Sequence, residues 1–197
     1  TSFCHVLQNP TIMTKIIHLA GISGSLRKAS FNTMLLKAVA ELLPESVSLE
    51  ILSIADIPVY NGDQDIPDRA SRPEAVNKFR KALEMADGIV IASPEYNYSI
   101  PGGLKNAIDW ASKGTDSPLI GKHVSLMGAT PGQWGTVRMQ LAFLPVFNTL
   151  KMLHINKFEV FVSQAPKKFD AEGKLIDTDT SEVLKKHLDF FLATLGH

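Results

Sequence analysis

The chain has 197 residues, 45% hydrophobic and 20% charged, with 20 Lys+Arg balanced by 20 Asp+Glu. That is enough chain to bury the core of one globular domain, and the zero net charge gives no basic footprint for nucleic acid or an anionic membrane. No apolar run reaches the roughly 18 residues of a membrane span, and the single cysteine, Cys4, rules out a disulfide within the chain and suits a reducing cytoplasm. The first dozen residues lack the basic front and apolar run of a secretory signal. Met13 directly precedes the first strand, so residues 1–14 read as a leader, disordered or carried over from expression, with the domain proper over 15–197.

From Lys15 onward the pattern alternates strand and helix, as in a parallel sheet covered on both faces. The first strand is Lys15 to Gly21. A helix from Asn32 to Leu43 follows, with Leu35, Leu36, Val39 and Leu42 as its apolar stripe and Pro44 ending it. Val47 to Ile54 is a second strand. The long polar connection from Asp56 to Pro73 suits a place near the mouth of a site. Val76, Phe79, Leu83 and Ala86 mark a second helix, and Gly88 to Ser93 is a strand apolar on both faces. Pro101 opens a third helix ending near Gly114, His123 to Gly128 forms a fourth strand, and Trp134 to Leu150 a helix kinked at Pro145. Phe158 to Ser163 is the fifth strand and Ser181 to Leu195 the last helix. This order predicts a doubly wound α/β sheet with strand order 2-1-3-4-5.

Two loops carry the functional information. Each leaves the carboxyl end of a buried strand and opens onto a helix, where open α/β sheets bind anionic ligands. The first loop supplies Ser23, Ser25, Arg27, Ser30, Asn32 and Thr33. It is not a P-loop, because no Gly-Lys-Ser/Thr occurs, and the dinucleotide fingerprint is absent as well. Hydroxyls, backbone N–H groups and one guanidinium at a positive helix end make a monophosphate cradle. The plainer alternative is that Ser30 simply N-caps the helix. The second loop, Ser93-Pro94-Glu95-Tyr96-Asn97-Tyr98-Ser99-Ile100-Pro101, is stiffened by proline at both ends. It offers aromatic surface and amide groups suited to a planar heterocycle. A ligand with a phosphate at one end and a hydrogen-bonding pyrimidine edge at the other, such as FMN, fits the two loops together.

The runs G-S-L-R-K-A-S-F-N and S-P-E-Y-N-Y-S-I-P-G-G-L-K-N-A-I-D-W resemble those of the NAD(P)H-dependent FMN reductases, most of all the quinone and chromate reductases. The resemblance spans Lys15 to the last helix and implies a flavodoxin-like fold, non-covalent FMN, NAD(P)H as electron donor, and a homodimer or homotetramer. It implies that Ser25, Arg27, Ser30 and Asn32 hold the phosphate, that Glu95, Tyr96, Asn97 and Tyr98 line the isoalloxazine, and that Thr130 closes its other side. Ala29 stands where the family usually has glycine. No side chain is expected to act as nucleophile or base, because the cofactor carries the hydride chemistry.

The six histidines show no metal-ligand spacing, and none is expected to hold a metal; His18 and His123 read as core residues within strands. Trp110 and Trp134 suit either the core or a subunit contact, and Arg138 either solvent or the phosphate of the incoming nicotinamide. Quinones, chromate and similar small oxidants are the expected acceptors. A flavodoxin-like electron carrier, or a flavin-binding module without turnover, is the alternative. Such carriers are typically strongly acidic, whereas this chain is neutral.

Overall fold

In a computed structural model that describes residues 16–65 and 69–196, eleven strands and α-helices follow one another along the chain. They are β1 (Ile17–Ser23), α1 (Phe31–Leu42), β2 (Val47–Leu52), α2 (Glu74–Met85), β3 (Gly88–Ala92), α3 (Gly102–Ser112), β4 (His123–Ala129), α4 (Val137–Thr149), β5 (Leu153–His154), β6 (Val160–Val162) and α5 (Thr178–Thr194). The leader over residues 1–14, with Cys4, lies outside the described residues. All the strand pairs are parallel, in the order β2-β1-β3-β4-β5, with β6 also on β4. The flavodoxin-like order 2-1-3-4-5 is therefore present, but its fifth position is shared. β5 pairs with the start of β4 at His123 and Val124, and β6 with its end at Met127 to Ala129. The strand that the sequence pattern indicates over Phe158 to Ser163 is present as β6 alone; β5 lies upstream of that span, and Phe158, at φ 57°, falls between the two.

Alternation along the central strands divides the core between the two faces of the sheet. Ala20, Ile22, Ile89, Ile91, Val124 and Leu126 point to one side, against Phe79, Leu83, Leu104, Ile108 and Phe143 of α2, α3 and α4. Leu19, Val90, Ala92, Met127 and Ala129 point to the other, against Leu35, Leu36, Val39, Leu184, Leu188 and Phe191 of α1 and α5. A buried three-strand centre follows directly from the uninterrupted apolar run of β3.

Pro58 and Tyr60, in the long connection after β2, lie against α3. The Pro58 carbonyl accepts from Asn106 Nδ2 and Trp110 Nε1, each at 2.8 Å, and the Tyr60 N–H donates to Asn106 Oδ1 at 2.8 Å. Trp110 is thus a core residue, fully buried. α4 starts three residues later than the sequence pattern indicates, because Gly135 and Thr136 both adopt positive φ, 57° and 69°. It buries Met139, Phe143 and Phe147 at i, i+4, i+8 spacing and leaves Leu141 and Leu144 exposed. Pro145 lies within it. No helix among the described residues is long and apolar enough to cross a membrane.

The histidine expectation needs correcting. His18 is exposed, with its Nδ1 2.8 Å from Ser48 Oγ, and His123 is only half-buried, beside Thr194 Oγ1 at 3.0 Å. Their strands begin at the open amino end of the sheet, where the helices leave them uncovered. Among the described residues the buried histidine is His187 of α5, which the helical stripe did not single out. Its Nδ1 lies 2.9 Å from the Phe158 carbonyl and its Nε2 2.6 Å from Ser125 Oγ. A carbonyl can only accept, so Nδ1 carries the proton and Nε2 accepts from the Ser125 hydroxyl. This pair ties α5 both to the centre of β4 and to the break between β5 and β6.

Burial lowers the His187 pKa from 6.5 to about 4. The unfolded chain therefore takes up this proton first. The stability due to the neutral ring is complete above pH 6.5 and is lost as pH falls to about 4. The shift corresponds to about 3 kcal/mol. Urea unfolding of the protein should show a stability loss of that order across this window, and His187→Gln should flatten it. An identical pH slope in the variant would show that another group is responsible.

Candidate functional site

Loops leaving β1, β3 and β4 meet at the carboxyl end of the sheet. The strand order reverses between β1 and β3, so the chain leaves β1 toward α1 on one face and β3 toward α3 on the other. That divergence opens a crevice, the usual binding place in such folds. The loops are close at their roots. The Gly24 N–H donates to the Ala92 carbonyl at 2.8 Å, and the Ser93 N–H to the Met127 carbonyl at 3.1 Å. A Cβ on Gly24 would collide with the Ser93 side chain, and one on Gly128 with Thr136, so both positions require glycine on packing grounds.

The first loop is held by its own hydrogen bonds. Ser23 Oγ donates to the Ser25 carbonyl at 3.2 Å and receives the Thr33 hydroxyl at 2.9 Å. Ser25 Oγ accepts from the Arg27 N–H at 3.4 Å, and Ser30 Oγ from the Thr33 N–H at 3.3 Å. Ser30 is therefore the N-cap of α1. The N–H groups of Phe31 and Asn32, in the first turn, have no acceptor within the helix and lie at its positive end. Ser25 and Ser30 are buried, whereas Arg27 and Lys28 are exposed. Arg27 forms no ion pair among the described residues. Ala29 is absent from the positive-φ positions, so the missing glycine imposes no strain there.

The Asn32 side chain does not face the loop. Its Nδ2 donates to the Ala129 carbonyl at 2.9 Å and its Oδ1 accepts from the Ala129 N–H at 2.8 Å. What Asn32 offers to an anion is its backbone N–H. The next residue after Ala129 is Thr130. Its N–H donates to the Val162 carbonyl and its carbonyl accepts from the Ala165 N–H, both at 2.9 Å. The loop at the end of β4 is thus fastened to α1 on one side and to the segment after β6 on the other.

In the second loop, Tyr96 and Ser99 exchange backbone hydrogen bonds of 3.1 and 3.0 Å around Asn97 and Tyr98, at φ 49° and 65°. Two successive left-handed residues make a type I′ turn. Asn97 suits that conformation, while Tyr98 adopts it at a cost of roughly 1–2 kcal/mol. The Tyr98 ring is held by Arg138, whose guanidinium lies 4.2 Å from its centroid and 5.2 Å from that of Trp134. Tyr96, Tyr98 and Trp134 remain exposed, at 46%, 69% and 67%, and form an aromatic rim.

Glu95, expected to line the ring system, turns its carboxylate the other way. Oε2 accepts from the Arg138 and Met139 N–H groups at 3.0 and 3.3 Å, and Oε1 lies 3.3 Å from Arg138 Nη1. It caps the first turn of α4, which has no side-chain cap of its own. Arg138 in turn is neither free in solvent nor an unpaired cation. A carboxylate 43 residues upstream of its helix has no local sequence signal, and neither does an asparagine 97 residues from its backbone partner. A separate cavity of about 540 Å³ between β2 and α2, beside His18, Glu50 and Lys78, is remote from these loops.

Residues 17–167 match the profile of the NADPH-dependent FMN reductase family. The chain is 40% identical over 176 residues to an NAD(P)H-dependent FMN reductase of Pseudomonas aeruginosa, covering 89% of this chain and 94% of that protein. It is 38% identical over 181 residues to a quinone reductase of Escherichia coli, covering 91% and 95%. Among solved structures it resembles FerB of Paracoccus denitrificans, a flavoenzyme NAD(P)H:(acceptor) oxidoreductase. The TM-score is 0.83 and the identity 29%, over 92% of this chain and 98% of that one.

The carboxylate cap predicts a measurable stability effect. Glu95→Ala should lower the urea-unfolding free energy by about 1–2 kcal/mol, as loss of a helix N-cap does. An unchanged midpoint would mean that the α4 terminus does not depend on Glu95.

Proposed function

Because the chain belongs to the NADPH-dependent FMN reductase family, we propose that it is an FMN-dependent NAD(P)H oxidoreductase that delivers electrons to quinones and similar small acceptors. The observation that carries this is the pair of loops at the β1/β3 crevice. One has an open helix end and an arginine with no ion pair among the described residues; the other is a rigid aromatic turn. The residues present fit a flavin nucleotide. Gly102 and Gly103, in the first turn of α3, have nothing within 4 Å of where a Cβ would stand. A backbone this bare at a helix N-terminus admits close approach of a polar ring edge.

When bound, FMN supplies the redox chemistry, taking hydride from NAD(P)H and passing electrons on. The chain binds and orients. Ser25, Arg27, Ser30 and the Asn32 N–H hold the phosphate. Tyr96, Asn97 and Tyr98 line the isoalloxazine, and Thr130 closes its other side. The positive end of α3 favours negative charge on the pyrimidine edge without any side-chain acid. Glu95 acts on the pocket through α4 and Arg138. No side chain serves as nucleophile or base. Chromate is proposed as an acceptor alongside quinones.

We also propose that the chain works as a homodimer or homotetramer. Trp134, Leu141 and Leu144 are exposed at 67%, 59% and 44% on or beside α4, and Tyr98 stands next to Trp134 across Arg138. An apolar face of this kind is most often covered by a second copy. Light scattering should give a multiple of 21.6 kDa, and Leu141→Glu with Leu144→Glu should reduce it to one chain. A wild-type mass of one chain would overturn the assembly.

The cofactor reading has its own test. The purified protein should be yellow and bind one FMN per chain. Arg27→Ala should weaken FMN binding by about tenfold to over a hundredfold, the effect of losing a charged hydrogen bond. Lys28→Ala should leave FMN binding unchanged. Equal losses in the two variants would count against the phosphate assignment, and a protein that takes up no FMN would sink the function.

A further inference from the structure

We propose that Asn32 is a positioning residue that sets the separation between the phosphate loop and the Thr130 loop, with no side-chain contact to the ligand. The inference rests on the FMN reading above. Asn32 is buried, 3% exposed, and its side chain forms a two-bond pair with one residue, donating to the Ala129 carbonyl at 2.9 Å and accepting from its N–H at 2.8 Å. A single hydrogen bond would let the two segments pivot about it. Two bonds from a planar amide to both polar groups of one residue fix direction as well as distance.

Asn32 occupies the second position of α1, so its backbone N–H belongs to the set that faces the phosphate, while its side chain points into the sheet. Ala129 is the last residue of β4, and Thr130 begins the loop beyond it. On its far side Thr130 is held by Val162 and Ala165. The position of Thr130 relative to α1 is therefore defined by Asn32. One residue joins the phosphate end of the pocket to the wall on its other side. Serine and alanine are too short to span this gap with both bonds, and aspartate lacks the donor for the Ala129 carbonyl.

A merely structural asparagine would affect thermal stability but not the way other substitutions combine in FMN affinity. FMN fluorescence titration of the apoprotein, per folded chain, should be run on Thr130→Ala and Arg27→Ala, each alone and combined with Asn32→Ala, with thermal midpoints measured alongside. Thr130→Ala should weaken FMN binding several-fold alone and not at all once Asn32 is alanine, because Thr130 is then no longer held in place. Arg27→Ala should keep its loss of about tenfold or more in both backgrounds. Losses at Asn32 and Thr130 that multiply would overturn the inference. So would a Thr130→Ala variant that binds FMN normally, or an Asn32→Ala background that abolishes the Arg27 effect. If Asn32→Ala does not fold, Asn32→Ser takes its place in the same cycle and should reduce the Thr130 effect in the same sense. Wild-type apoprotein that does not bind FMN would instead refute the proposed function.

Discussion

The Asn32 amide pairs with both polar groups of the Ala129 backbone, and the relative placement of the loops after β1 and β4 depends on that pairing. The loops after β1 and β4 leave strands that are not neighbours, since β3 lies between them. Nothing in sheet pairing alone would hold their tips in register. The buried amide does so across the end of β3, where the small residues Gly24 and Gly128 let the chains approach. Because the pair is enclosed, leaving either partner unsatisfied would cost about 1–3 kcal/mol, which keeps the bridge intact when the crevice is solvated.

The second loop is fixed by a different kind of interaction. Glu95 and Arg138 form a partly buried pair, with side chains 14% and 32% exposed, and the carboxylate also takes two backbone donors of α4. An isolated surface ion pair would contribute little. Here the charge sits at a helix N-terminus, where it is favoured for a second reason. The guanidinium then has its faces free for Tyr98 and Trp134. This stacking compensates a tyrosine held at positive φ, and a rigid aromatic rim results without a metal or a disulfide.

Much of the architecture was legible from spacing. Short apolar runs, unbroken in β3 and interrupted by His18 in β1 and Ser125 in β4, gave the three central strands, and apolar positions at helical spacing gave the five α-helices within a few residues of their ends. Both functional loops stood out because they join a strand to a helix with serine, asparagine and proline where a plain turn needs none. The sharing of the fifth position was not legible, since Phe158 to Ser163 alternates acceptably as the one edge strand, while the two-residue β5 upstream of it is marked only by its partners on β4. The late start of α4 was hidden for a related reason. Thr136 takes a left-handed conformation that its own type disfavours, because the packing of its side chain beside Gly128 fixes it there.

By itself the sequence determined the layered α/β order, the position of the two polar loops at the candidate site and the chemical character of each, because these follow from periodicity and residue type within a dozen residues. The tertiary structure decided which polar side chains face the crevice and which hold it together. Asn32 and Glu95 look like ligand contacts when read along the chain, yet their side chains are directed to Ala129 and to the first turn of α4. His187 likewise finds Ser125 across 62 residues. Each of these partners is a backbone group or hydroxyl that every folded chain has in abundance. Sequence gives such groups no distinguishing mark, and only the packing of distant strands and helices selects one of them.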